Sequence, residues 1–109
     1  MDKLKGILKL MGNDIVSDAR KNLKTRKKDK NSSGKLSRSL SSKVDADGNE
    51  LTIYAEDYAE FVDQGTKDSS GNDFLTDAVN NNINEYGDKL TEAVGDDIIV
   101  KIDIIFKDK

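Results

Sequence analysis

The run DIIVKIDIIFK, residues 97–107, constrains this chain more than any other stretch. Val100, Ile102, Ile104 and Phe106 alternate with Ile99, Lys101, Asp103 and Ile105, the period of a β-strand, and both faces carry branched apolar side chains. Left unpaired, such a strand is an aggregation template. It must therefore be covered, by another strand of the chain or by another subunit. A strand is expected over 98–106. A second strand is read upstream, where ELTIYAE sets Leu51, Ile53 and Ala55 on one face against Thr52, Tyr54 and Glu56 on the other. Asp47 followed by Gly48 is a strong turn signal just before it. In LSRSLSSKV, residues 36–44, Leu36, Leu40 and Val44 fit helical spacing and one strand face equally; the serines and the following turn favour a strand for the later part. A β-hairpin is expected within 36–56, its strands spanning 40–56.

The remaining apolar residues follow helical periodicity. Leu4, Leu8, Met11, Ile15, Ala19 and Leu23 recur every three or four positions, widened by Ile7 and Val16, and predict a helix over 3–23. Residues 24–35, KTRKKDKNSSGK, hold no apolar side chain and read as a basic loop extended by its own charge. A short helix is expected over 57–64, with Tyr58, Phe61 and Val62 anchoring it on the sheet and Gly65 closing it in a left-handed conformation. Asn72 or Asp73 then caps a long helix over 73–94. Its stripe is Leu75, Val79, Ile83, Tyr86, Leu90 and Val94, with Phe74 and Ala78 beside it and Gly95 at its end. The whole, residues 1–109, reads as one α+β domain with a small, mainly antiparallel sheet packed on helices. With 35% hydrophobic residues and no Trp the core is small, and self-assembly is a common way to bury more surface.

The same inventory narrows the chemistry. Without Cys there are no disulfides or thiolate metal sites, and without His the commonest general base and transition-metal ligand are missing. Asp45, Asp47, Asn49 and Glu56 occupy positions of a calcium-loop pattern, but Glu50 stands where that pattern needs Gly and strands flank it where it needs helices. A tight turn is the better reading. Ser37, Ser39, Ser41 and Ser42 lie near Lys35 and Lys43 only within a low-complexity polar run. The adjacent pairs Glu56, Asp57 and Asp96, Asp97 fall at element ends, where acids are usually solvated or capping. No catalytic, cofactor or metal residue is assigned, and the expected function is not enzymatic. Lys3, Lys5 and Lys9 interrupt the N-terminal apolar residues, unlike a secretion signal, and no stretch approaches the ~20 apolar residues of a bilayer span. The expected setting is aqueous and cytoplasmic, without a membrane.

Charge is unevenly placed. Residues 20–43 hold ten basic side chains and one acid; residues 44–97 hold fifteen acids and two lysines, in a chain of net charge −3. A basic region of this kind meets either a polyanion or the acidic region of a neighbouring subunit. Arg20, Lys24, Arg26, Lys27, Lys28 and Lys30 are the candidate interaction residues.

The stretch YAEFVDQGT, residues 58–66, resembles a signature of the small minor virion proteins of tailed bacteriophages that complete the neck or tail and join head to tail. That family shows Tyr-Ala, two residues, Val, an acid, one residue and Gly-Thr; here the positions are Tyr58, Ala59, Val62, Asp63, Gly65 and Thr66. After a loop, the Phe-Leu that opens the family's long helix is matched by Phe74 and Leu75, followed by Ala78. Upstream, Ser33, Gly34, Leu36, Ser39 and Leu40 follow its Thr-Gly, x, Leu, two residues, Ser, apolar run. The order of elements matches over roughly residues 3–94. The chain departs from the family in having no Pro, with Asp73 and Asp77 where helix-start prolines would stand, and in carrying Asp63 for the more usual Glu. The resemblance implies a structural virion protein that assembles as a homo-oligomeric ring at the neck or tail top, found in the virion and, during assembly, in the host cytoplasm. Its partners would be connector or adaptor and tail proteins, with non-specific contact to DNA in the channel. The alternative from the residues alone is a small nucleic-acid-binding protein using 20–43, although that run lacks interleaved aromatics. A host-directed inhibitor binding one acidic partner is a third possibility.

Overall fold

A computed structural model describes residues 2–26, 33–67, 69–94 and 100–107. The fold is α+β. Helices α1 (Asp2–Arg26), α2 (Ser33–Ser39), α3 (Ala59–Gln64) and α4 (Phe74–Val94) accompany strands β1 (Ser41–Val44), β2 (Glu50–Ala55) and β5 (Lys101–Phe106). Two further strands, β3 (Gly65–Thr66) and β4 (Ser69–Ser70), form a separate two-residue ribbon.

The three-stranded sheet has the order β1-β2-β5. The hairpin β1–β2 is antiparallel, with Ser42 opposite Ile53, whereas β5 runs parallel to β2, with Ile53 beside Ile104. Parallel pairing requires a long crossover, and α3 and α4 supply it. Among the described residues the C-terminal strand is thus covered by the hairpin on one edge. The hairpin turn is organised by Asp45, whose Oδ1 accepts from the amides of Gly48, Asn49 and Glu50 at 3.0, 3.1 and 3.0 Å. Gly48 sits at φ 78°, a conformation that disfavours a side chain.

All six stripe residues of α1 are buried, as are Leu51, Ile53 and Ala55 on the inward face of β2. Helix and sheet approach closely at Gly12, where a Cβ would lie 2.7 Å from Ser42 Oγ and 2.8 Å from Leu51 Cδ1. Helices α1 and α4 pack antiparallel. Asn22 Nδ2 donates to Phe74 O (3.0 Å), Asn82 Nδ2 to Asp18 Oδ2 (2.9 Å), and Tyr86 Oη to Asp14 Oδ2. No helix of the described residues is long and apolar enough to cross a membrane.

Several expectations are corrected. Residues 33–39 are helical, so the basic loop does not run to 35 and the hairpin does not begin at 36. Leu36 and Leu40 satisfy both periods in sequence; Ser39, buried with them and donating its hydroxyl to Leu36 O at 2.6 Å, gives the i, i+3, i+4 pattern of a helix, and Arg20 holds its end by donating to Ser37 O (3.0 Å) and Leu40 O (3.1 Å). Helix α1 continues to Arg26, which gains partners at the start of α4. On α4 the buried stripe is rotated: Ile83 is 41% exposed and Asn82 fully buried in its place. Glu56, expected outward, is buried, its amide donating to Ser39 Oγ at 3.1 Å. Lys27, Lys28, Lys30, Gly95, strand positions 98–99 and the Val94 side chain lie outside the described residues.

Candidate functional site

Two of the three stretches quoted for the resemblance, residues 58–66 and Phe74–Leu75, meet at one corner, where α3 hands the chain to α4. Helix α3 has six residues and no side-chain cap at its N-terminus. Isolated, so short a helix has no stability of its own; packing holds it. Ala59 is fully buried and Asp63 is 1% exposed, while Tyr58 and Val62 are half-buried against the core. Phe61 does not anchor the helix: it is 56% exposed. A six-residue helix with one face on the core buries only residues four apart, here 59 and 63, and position 61 falls opposite.

Asp63 is the centre of the corner. Its Oδ1 accepts from the amides of Leu75 and Thr76, each at 2.9 Å, and its Oδ2 accepts from Thr76 Oγ1 at 2.6 Å. These amides belong to the first turn of α4, which has no intrahelical partners for them. A carboxylate there also meets the positive end of the helix dipole. Asn72 satisfies a third amide, accepting from Phe74 at 3.0 Å through Oδ1. The expected choice between Asn72 and Asp73 thus falls to the Asn72 side chain, supplemented by Asp63. Asp73 instead takes φ 57°, the left-handed turn that launches the helix.

The backbone is locked at the same place. The amides of Asn72 and Asp73 donate to Val62 O (2.9 Å) and Asp63 O (2.8 Å). A Cβ on Gly71 would lie 2.2 Å from Asp63 O, so only glycine allows these two segments to meet. Gly65 ends α3 at φ 90° and ψ −179° with its amide on Phe61 O. Its positive φ was expected, but its ψ is extended rather than left-handed helical, which sends the chain away into β3 and β4. Phe74 and Leu75 then enter the core, fully buried.

Of the basic candidates, two are drawn into the fold. Arg26 forms an ion pair with Asp77 (2.6 Å) and donates to Asn72 O (3.0 Å), bracing the corner from the end of α1. Arg20 closes the end of α2. Lys24 is exposed on α1. These three do not converge on one patch of free cations. Among the described residues no group of three or more Asp, Glu, His or Cys side chains is placed to hold a metal ion.

Sequence reasoning missed the polar seam between the long helices. Tyr86 gives its hydroxyl proton to Asp14, with Lys89 Nζ 5.2 Å from the ring centre. The Asp14 hydrogen bond, reinforced by burial, pushes the Tyr86 pKa up to about 12. Asn82 donates to Asp18 and to Ala78 O (2.8 Å), leaving its Oδ1 buried without a partner. Its only sequence signal is a pair of acids and a pair of hydrogen-bonding residues, each four apart, on two helices. Comparison of this chain with protein-family models, with curated proteins and with solved structures finds no match.

Proposed function

We propose that this chain is a non-enzymatic structural protein of a tailed-bacteriophage virion, assembling as a ring at the neck or tail top to join the head connector to the tail. The observation that supports this reading is the Asp63 corner. The residues of the resemblance, 58–66 with Phe74 and Leu75, act on one another: Asp63 spends its carboxylate on capping α4 and Gly65 turns the chain. Such a motif fixes the relative placement of sheet and long helix, which is what a scaffold subunit needs from its neighbours' point of view. Purified particles, analysed by mass spectrometry and by labelling at the neck, carry the protein on this reading. Its absence from assembled virions overturns it.

The nucleic-acid reading rests on the basic segment. Arg20 and Arg26 spend their guanidinium groups on carbonyls and on Asp77, which weakens that footprint. Titration of DNA against the monomer at several salt concentrations separates the two. Tight binding with a steep salt slope favours the nucleic-acid protein, and negligible binding favours the scaffold.

A further inference from the structure

Both edges of the three-stranded sheet are open among the described residues, and they are complementary. In the hairpin, Asp45 donates its amide to Glu50 O, so the hydrogen-bonded pairs are 45/50, 43/52 and 41/54. The amides and carbonyls of Ser42 and Val44 therefore point away from β2, to the open edge. The same alternation sends the Leu40 carbonyl outward, where Arg20 meets it. Along this edge runs an open groove of about 500 Å³, lined by Asn13, Val16, Ser17 and Arg20 of α1 together with Leu40, Ser41 and Ser42. Helix α1 overhangs the edge of β1, and the nearly buried Val16 and Leu40 give the groove apolar lining.

On the opposite edge, Lys101 and Lys107 donate their amides to Asn49 O and Ala55 O of the hairpin. Parity then turns the backbone groups of Ile102, Ile104 and Phe106 outward. The side chains of these three residues lie on the inward face, beside Leu51, Ile53 and Ala55, yet remain only half-buried where their β2 partners are fully covered. One copy of the chain thus has an edge with a helix to spare, and an apolar edge with too little cover.

We propose that the sheet continues from copy to copy: the open edge of β5 pairs with the open edge of β1 of the next molecule, in the groove beneath its α1. With the helices of both copies on the same face of the continued sheet, this pairing is antiparallel, since β5 runs with β2 and β1 against it. Matching the outward groups sets Ile102 opposite Val44 and Ile104 opposite Ser42. Lys43 then faces Asp103, both on the outer face of the sheet, as a pair of opposite charge. Val16 and Leu40 of the second copy come beside the half-covered face of β5. This inference deepens the assembly reading above and rests on it; it names the surface through which copies join.

The chain has no Cys, so cysteines introduced at 43 and 103 report alone. Within one molecule these positions sit two strands apart, at roughly 10 Å, beyond disulfide reach. Across the new edge they form a non-hydrogen-bonded pair at about 4.5 Å. Lys43→Cys and Asp103→Cys proteins, confirmed as folded by circular dichroism, are mixed at high concentration and oxidised. The expected product is the mixed disulfide, several-fold over either homodimer, and the double variant gives a ladder beyond dimer. Multimers in which peptide mapping finds no 43–103 link overturn the strand continuation while leaving self-assembly standing. A chain that stays monomeric and unlinked at millimolar concentration overturns the proposal, and so does linkage of position 43 only to a different virion protein. Location in the virion is read separately, so the two proposals fail by different results.

Discussion

The Asp63 corner and the β1-β2-β5 sheet face the same difficulty, backbone groups without partners, and meet it differently. At the corner every unpaired amide of the first turn of α4 that is described finds an acceptor supplied by the chain itself: Asn72 for Phe74, Asp63 for Leu75 and Thr76. At the sheet, two rows of outward groups find none among the described residues, apart from the Leu40 carbonyl held by Arg20. The difference teaches where the molecule is finished and where it has surface left to complete. The corner completes its own backbone pairing; among the described residues the two sheet edges do not.

Breaking the corner gives the largest effects. Gly71→Ala drives a Cβ into the Asp63–Gln64 backbone, and overpacking of this kind destabilises by about 3 kcal/mol. Urea denaturation measures it, and a loss under about 1 kcal/mol would mean the corner yields easily. Asp63→Ala strips the caps from α4 and leaves donors unpaired, for a loss of about 2–3 kcal/mol; Asp63→Asn keeps an acceptor and loses about 1 kcal/mol. The ratio of the two variants separates capping from charge.

Gly12 and Gly6 sharpen the contrast within one helix. Gly12→Ala meets Ser42 and Leu51 side chains and costs about 1–2 kcal/mol, while Gly6→Ala meets nothing within 4 Å and stabilises by about 0.5–1 kcal/mol. Thermal melts of the two variants should move in opposite directions. The α1–α4 seam adds a pH signature. The folded pKa of Tyr86 lies near 12, above its ordinary 10.0, so the fold favours the protonated phenol. Its contribution is complete below about pH 10 and is lost as pH rises through 12. Tyr86→Phe removes that part of the alkaline slope; an unchanged slope would show that the hydrogen bond to Asp14 carries no linkage. Smallest of all, Phe61→Ala changes monomer stability by within about 0.5 kcal/mol, because the ring is largely in solvent.

Periodicity determined a good deal by itself. The α1 stripe, the alternation of β2, the turn around Asp47 and Gly48, and the α+β class follow from spacing, since a helix or strand with one apolar face must bury that face. The corner was legible as a motif, Tyr58 to Thr66, but not as a mechanism. That Asp63 reaches Leu75 and Thr76 depends on Gly71 bringing the two segments together, a contact across the chain that no local pattern encodes. Leu36 and Leu40 matched two periods, and burial of Ser39 with them, its hydroxyl on Leu36 O, chose the helix. Asn82 displaced Ile83 from the interior because Asp18 of the facing helix offered its side chain an acceptor. The direction of β5 was likewise tertiary: the crossover through α3 and α4 is long enough to permit parallel pairing, and the packed molecule adopts it. Local spacing settles which face of an element is apolar; only the packed molecule settles what that face meets.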